Sequence, residues 1–106
     1  MALPQSILAG MSMEEKLGQM LMVGFDGPEL TKSDQEFMAK YYIGNVILMG
    51  RNVPDPQHTK TLTTHLQQIA ASRRCPVGFH IAIDQEGGVV PRLTKGATVF
   101  PGNMAL

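Results

Sequence analysis

The stretch GFHIAIDQEGG, from Gly78 to Gly88, contains an apolar run that is typical of a buried strand. The run ends at Asp84 and passes into a polar turn with two adjacent glycines. Because alternate residues of a strand point to opposite faces, its side chains divide into two sets. The bulky apolar set consists of Phe79, Ile81 and Ile83. We expect helices to cover that set, which leaves Asp84 on the other face with His80 and Ala82.

Two earlier runs have the same apolar character, and helical patterns separate the three. The runs are LMVGF, at residues 21–25, and NVILM, at residues 45–49. No two-residue hairpin signal joins any pair, so we expect right-handed helical crossovers between parallel strands. The order of elements predicts an α/β fold with about three parallel strands and three helices.

The first predicted helix begins at a capping box formed by Ser12 and Glu15. Its apolar residues recur at helical spacing and predict one buried face of Met13, Leu17, Met20 and Leu21. A second helix is expected from about Ser33 until Gly44 stops it. Its predicted buried residues are Phe37, Met38 and Tyr41.

The third predicted helix has the clearest beginning. Asp55 is suited to cap it, and Pro56 suits its first turn, where the missing N–H has no cost. Helical spacing then predicts a buried face of Leu62, Leu66, Ile69 and Ala70.

Polar residues follow each predicted strand, in the segments FDGPEL, MGRNVPDP and IDQEGGVVPRL. The carboxyl ends of parallel strands meet at one edge of the sheet, where binding and catalytic groups concentrate. Asp84 is therefore expected at the mouth of a pocket. Two other roles remain open from the residues alone. Asp84 could cap a turn through its own backbone, or it could pair with Glu86 as two catalytic carboxylates.

The carboxylate pair has a geometric difficulty. Residues i and i+2 of a strand have Cα atoms about 6.5 to 7 Å apart, which is compatible with glycosidase spacing. Both groups would nevertheless lie on one loop, and so on one side of a bound sugar. The sequence favours a binding role for Asp84.

Composition excludes several classes of function. The chain has 106 residues, with nine acidic and nine basic side chains, and it lacks the basic cluster that nucleic acid or an anionic membrane would require. It also lacks an apolar run long enough for a membrane span and a signal-peptide pattern in its first residues, so a cytoplasmic location is expected. The single cysteine, Cys75, is expected to be a structural thiol.

No cofactor or metal site is expected. A Gly-x-Gly-x-x-Gly dinucleotide pattern is absent. His58 and His65 lie seven residues apart on the third predicted helix, which separates them by about 10.5 Å along its axis and is too far for one metal ion.

The segment IDQEGGVVPRL resembles the Asp-Gln-Glu-Gly-Gly-Arg-Val-x-Arg-Leu motif of the glycoside hydrolase family 3 N-terminal domain, in its bacterial β-N-acetylhexosaminidase branch. Four further segments resemble the family in the same order: MSMEEKLGQMLMVGFDG, YYIGNVILMGRNVPDPQ, LTTHLQQIA and FPGNMAL. The resemblance implies that residues 1–106 are the N-terminal portion of a (β/α)₈ TIM-type barrel. It also implies hydrolysis of terminal β-linked N-acetylglucosamine with retention.

The resemblance assigns roles residue by residue. Asp84 matches an aspartate that binds sugar hydroxyls, and Arg92 matches an arginine that binds the same sugar. Glu86 is expected to brace the loop, while Gly87 and Gly88 supply backbone conformations that other residues avoid.

Two residues depart from the family motif. Val89 stands where the family usually has arginine, and Pro91 stands where it often has glutamine. The absence of that arginine is expected to affect the loop that presents Asp84.

The catalytic residues of the family have no match in this chain. The nucleophilic aspartate of the family belongs to a later strand. The family's acid/base histidine follows a Lys-His-x-Pro-Gly segment that is absent from this chain. The three histidines, His58, His65 and His80, match neither. We therefore predict no catalytic residue in these 106 residues and no activity of the chain alone. The alternative is a non-catalytic, truncated α/β fragment with weak or no sugar binding, which associates with itself through exposed strand edges or an uncovered apolar face.

Overall fold

Three short parallel strands form one sheet, as the sequence predicts, and their order in it is β1-β2-β3. The computed structural model describes residues 4–105, so residues 1–3 and 106, at the ends of the expected domain, lie outside it. The strands are β1 (Met22–Val23), β2 (Asn45–Leu48) and β3 (His80–Ile83). Val46 of β2 pairs with both Val23 and Ile81, which fixes the register across the sheet.

Helices connect these strands and precede them. The described residues contain α1 (Pro4–Gly10), α2 (Met13–Gly18), α3 (Lys32–Lys40) and α4 (Pro56–Ala71), with 3-10 turns at Gly50–Asn52 and Asn103–Ala105. The three predicted helices correspond to α2, α3 and α4. The sequence did not predict α1, which buries none of its residues and so has no apolar face to detect.

Local side-chain caps start the helices. The Ser12 hydroxyl accepts from the Glu15 N–H at 3.2 Å, and the Glu15 carboxylate accepts from the Ser12 N–H at 2.8 Å, which confirms the capping box. Asp55 caps α4 by accepting from the His58 N–H at 2.8 Å. The cap of α3 is Thr31, two residues before the predicted start, because its hydroxyl forms a capping box with Asp34.

The core lies on one face of the sheet. Ile81 and Ile83 pack against it while Phe79 is fully part of it, which confirms the predicted division of β3 into two faces. Helix α4 covers this face with Leu62, Leu66 and Ala70, each at most 4% exposed. The buried apolar residues are Phe25, Leu30, Met38, Ile43, Val46, Leu48, Val53, Leu62, Leu66, Ala70 and Phe79.

The buried face predicted for α2 is wrong. Its four apolar side chains are each at least half exposed: Met13, Leu17, Met20 and Leu21. Helix α2 instead buries Glu15 and Gly18. Its orientation follows from long-range contacts of those two residues, which the apolar spacing does not reveal.

An ion pair holds α2 against the segment after α4. The guanidinium of Arg74 donates to both carboxylate oxygens of Glu15, from Nε to Oε1 at 3.1 Å and from Nη2 to Oε2. The Glu15 side chain is 8% exposed. The hydrogen bond from the Ser12 N–H, followed by the contacts with Arg74, lowers the pKa of Glu15 below its ordinary value even though burial opposes this.

The buried face of α3 and the length of β1 also differ from the sequence prediction. Phe37 and Tyr41 of the α3 region are about half exposed and pack on each other at 4.9 Å between ring centroids, and only Met38 enters the core. Strand β1 is two residues long, whereas the sequence predicts five. The carbonyl of Phe25 accepts hydrogen bonds from the side chains of Arg51 and Asn52, in the loop after β2, and so takes no part in strand pairing.

Candidate functional site

The loops after β1 and β2 are joined by a buried amide. Asn52 is fully buried, and its Nδ2 donates to the carbonyls of Phe25 at 3.2 Å and Gly27 at 2.6 Å. Its Oδ1 accepts from the Met49 N–H at 2.8 Å. A buried amide with three partners fixes both loops, so the carboxyl ends of β1 and β2 form one rigid edge.

Arg51 and Asp26 add charge to this edge. Arg51 Nε lies 3.1 Å from the Phe25 carbonyl and 3.3 Å from Asp26 Oδ1. Both side chains reach solvent, at 49% exposed for Arg51 and full exposure for Asp26. Neither Arg51 nor Asn52 is among the site residues predicted from the sequence. A signal was present in the sequence, because both lie within three residues of the end of the second apolar run.

Asp84 and Arg92 lie together after β3. Arg92 Nη2 is 3.9 Å from Asp84 Oδ2, which is an ion pair but too long for a hydrogen bond. The Asp84 carboxylate accepts no hydrogen bond from any residue between 4 and 105, so the interpretation of Asp84 as a turn cap is not supported. Both side chains are partly exposed, at 46% and 32%.

The Arg92 guanidinium retains unused donors. Its Nε atom is buried and has no hydrogen-bond partner within residues 4–105. A carboxylate is an acceptor only and a guanidinium is a donor only, whereas a hydroxyl can donate to the first and accept from the second. The separation between Asp84 and Arg92 therefore suits a bridging hydroxyl group.

Two glycines shape the turn that follows Asp84. Gly87 and Gly88 have φ angles of 72° and 55°, in the left-handed region that favours glycine. The Glu86 N–H donates to the Val90 carbonyl at 3.0 Å, and the Gly88 N–H donates to the Phe100 carbonyl at 2.9 Å. The turn is thus closed on itself and covered by the segment near Phe100.

Gln85 makes the side-chain hydrogen bonds across this loop. Its Oε1 accepts from the N–H groups of Arg92 at 2.9 Å and Leu93 at 3.0 Å, and its Nε2 donates to the Leu93 carbonyl at 3.0 Å. Glu86 is exposed, and its carboxylate has no hydrogen bond or ion pair with the described part of the chain. The bracing role expected of Glu86 stays a prediction. Gln85 is a residue that the sequence analysis missed.

Val89, at the position of the expected family arginine, is 98% exposed. The hydrogen bonds that close the loop come from Gln85 and from the backbone, and none of them needs a side chain at position 89.

Two of the three histidines, His58 and His65, lie on α4 and not in the loop after β3. His58 Nε2 is 2.7 Å from the Pro28 carbonyl, which ties α4 to the loop after β1. His58 and His65 line a groove of about 510 Å³ together with Glu29 and Asp55. Across residues 4–105, no three His, Cys, Asp or Glu side chains are placed to hold a metal ion.

Within residues 4–105, no helix combines the length and the apolar character needed to cross a membrane.

The chain matches a family model described as the glycosyl hydrolase family 3 N-terminal domain, over residues 12–106. It is 40% identical over 80 residues to β-hexosaminidase A of Pseudoalteromonas piscicida, covering 74% of this chain and 13% of that protein. It is 38% identical over 81 residues to a β-hexosaminidase of Alkalilimnicola ehrlichii, covering 76% of this chain and 22% of the relative. The chain thus spans less than a quarter of the length of these relatives.

Solved structures give the same relationship. The fold is similar to that of a glycoside hydrolase family 3 β-N-acetylglucosaminidase from a Paenibacillus species, with a TM-score of 0.81, 40% identity, and coverage of 91% of this chain and 18% of that one. It is also similar to NagZ from Neisseria gonorrhoeae in complex with N-trifluoroacetyl-D-glucosamine, with a TM-score of 0.66, 31% identity, and coverage of 76% and 22%. The three parallel strands are therefore part of a TIM-barrel architecture.

Proposed function

Because this chain belongs to the glycosyl hydrolase family 3 N-terminal domain family, we propose that it forms one wall of a pocket that binds a β-linked N-acetylglucosamine residue. Residues 1–106 then contribute the N-terminal portion of the barrel. In this proposal Asp84 and Arg92 bind hydroxyl groups of the sugar. Gly87 and Gly88 give the loop its shape, and Glu86 supports it.

The observation that carries this proposal is the separation of 3.9 Å between Asp84 Oδ2 and Arg92 Nη2. The two charged groups attract each other but are too far apart to form a hydrogen bond, and both side chains are partly exposed to solvent. A sugar hydroxyl placed between them accepts from the arginine and donates to the carboxylate, and both bonds are strengthened by charge. N-acetylglucosamine is the sugar of choice because a similar solved structure is named as a β-N-acetylglucosaminidase.

We propose that the chain binds this sugar without cleaving it. Retaining glycosidases place two carboxyl groups about 5 to 5.5 Å apart on opposite sides of the scissile bond. The carboxylates after β3 are Asp84 and Glu86, which lie on one loop and so on one side of any sugar that Asp84 holds. Hydrolysis of a terminal β-linked N-acetylglucosamine with retention, which we propose for the complete barrel, would use residues that these strands do not contain.

Replacing Asp84 with asparagine tests the sugar site. Asp84→Asn keeps the size of the side chain but removes its charge and turns one acceptor into a donor, so the affinity for N-acetylglucosamine should fall about tenfold or more. Titration of the 15N-labelled chain with the sugar, followed by NMR, measures this. Glu36→Gln is the matched control. It also removes one negative charge, but from an exposed side chain on α3 whose ion pair is with Lys32 at 3.7 Å.

Equal affinity of Asp84→Asn and the unmodified chain would contradict the proposed sugar site. A chromogenic β-N-acetylglucosaminide tests the absence of catalysis with the same proteins. We expect no release of the chromophore, and turnover that Asp84→Asn abolishes would show that the chain is catalytic by itself.

A second candidate role, self-association without catalysis, rests on the uncovered surfaces of the chain. Strands β1 and β3 are the outer strands of the sheet, so each has one free edge. Exposed apolar side chains also occur on α2, on the segment after it and on β1 itself. The side chains are Met13, Leu17, Met20, Leu21 and Met22. Patches of this kind mark contact surfaces, and we propose that a second copy of the chain covers this one.

Light scattering at micromolar concentration tests this association and should give a mass above that of the 11.5 kDa monomer. Leu17→Glu places a charge in the apolar patch and should shift the equilibrium toward the monomer. Gln68→Glu adds the same charge to the exposed side of α4 and should leave the mass unchanged. A monomeric unmodified chain would exclude the association.

A cytoplasmic location remains part of the proposal. The lone thiol of Cys75 supports it, because intracellular proteins rarely depend on disulfides.

A further inference from the structure

We propose that Gln85 is a positioning residue that holds Arg92 at its distance from Asp84. This inference rests on the proposed sugar site and adds a residue to it. Gln85 directly follows Asp84 in the chain. Its side-chain amide forms three hydrogen bonds of 2.9 to 3.0 Å with the backbone of Arg92 and Leu93. Asp84 thus binds the sugar, and the next residue, Gln85, fixes the position of the second sugar ligand, Arg92.

Arg92 needs such a restraint. An arginine side chain has several rotatable bonds, and its guanidinium is attracted to the carboxylate of Asp84. Unrestrained, it would either close to hydrogen-bonding distance, about 2.8 Å, or turn into solvent. The observed pair does neither, since it stays 3.9 Å apart with Arg92 Nε buried and unpartnered in the described chain. If the backbone of Arg92 is fixed, the point at which its side chain begins is fixed as well, which limits the positions that the guanidinium can reach.

The loop after β2 lies close to the side chain of Arg92. A Cβ atom placed on Gly50, after β2, would lie 3.9 Å from Cδ of Arg92. The stem of Arg92 therefore runs beside the loop after β2, while its backbone is held by Gln85. The hydrogen bonds of Gln85 fix the backbone of Arg92, and its side chain extends from there past the loop after β2 toward Asp84.

Only an amide can make the whole set of bonds. Leu93 offers both its N–H and its carbonyl to the same side chain, so the partner must accept and donate at once. Glutamate at this position would keep the two bonds to the N–H groups and lose the donor to the Leu93 carbonyl. Methionine, which has a similar length, would lose all three.

The test compares Gln85→Met and Gln85→Glu with the unmodified chain by 15N NMR. Without sugar, the buried Arg92 Nε–H and the amides of Arg92 and Leu93 should exchange slowly in the unmodified chain. In Gln85→Met these signals should exchange faster, and the affinity for N-acetylglucosamine should fall about tenfold. Gln85→Glu should retain slow exchange at both amides and stay within about threefold of the unmodified affinity. Gln68→Met, on the exposed side of α4, is the matched control and should change nothing.

The two readouts separate this inference from the proposed function. If the unmodified chain shows no response to the sugar, the sugar site is wrong, while the Arg92 signals of Gln85→Met still decide whether Gln85 positions Arg92. If Gln85→Met keeps both the slow Arg92 signals and the affinity, Gln85 is not a positioning residue. If it loses affinity but keeps the Arg92 signals, it acts by another route and the inference is also wrong.

Discussion

Gly18→Ala should lower the free energy of unfolding by about 3 kcal/mol, because a methyl group at this position would overlap with backbone atoms. A Cβ atom on Gly18 would lie 2.6 Å from the carbonyl carbon of Tyr42 and closer still to its oxygen. A side chain could relieve such an overlap by changing its rotamer, but these are backbone atoms and can move only if the chain itself shifts. The carbonyl of Gly18 also accepts from the Gly44 N–H at 3.0 Å, so moving it would break the contact between α2 and the start of β2.

Urea unfolding followed by circular dichroism measures this change. Gly10→Ala is the matched control, because the space around Gly10 is open and a Cβ atom there would meet nothing within 4 Å. Alanine is favoured over glycine in a helix, so this variant should be unchanged or more stable by about 0.5 kcal/mol. Equal stability of Gly18→Ala and the unmodified chain would mean that α2 does not pack against Tyr42.

Leu66→Ala should also destabilise the chain strongly, by about 2 to 5 kcal/mol. Leu66 is fully buried on the face of α4 that covers the sheet, so its removal loses apolar burial and leaves a cavity. A chain of this size has a small core, and a loss of this magnitude should leave a large fraction unfolded at 25 °C.

Leu17→Ala is the control for Leu66→Ala. Leu17 is 55% exposed on α2, so the same substitution there should change the free energy of unfolding by less than about 0.5 kcal/mol. Unfolding at two protein concentrations distinguishes folding from association, because only contacts between copies depend on concentration. Equal losses in the two variants would restore the buried face that the sequence predicted for α2.

The parts of the fold that the sequence predicted are those with local causes. Ser12 with Glu15, and Asp55 with the first turn of α4, are caps that need only three or four neighbouring residues. Helix α4 buries the face that its spacing predicts, because it lies flat on a sheet. The spacing in α2 is equally regular, yet that helix is oriented by Arg74, which lies 59 residues from Glu15.

The candidate site was predictable to the same extent. The position of Asp84 follows from the end of an apolar strand, and parallel pairing brings it to the edge where the loops meet. The side chains that organise that edge, Asn52 and Gln85, were not found. Asn52 binds backbone groups 25 and 27 residues away, and Gln85 binds backbone groups across its own loop, seven and eight residues away; no helix or strand spacing rule reports such contacts.

Sequence alone therefore determined the α/β order, the caps, the face of β3 that enters the core and the place of Asp84, because alternation and capping act between near neighbours. Only the tertiary structure decided which side of α2 is buried, how far Arg92 stands from Asp84, and which backbone groups Gln85 binds. Those features depend on hydrogen bonds and ion pairs between segments whose meeting is fixed by the packed core.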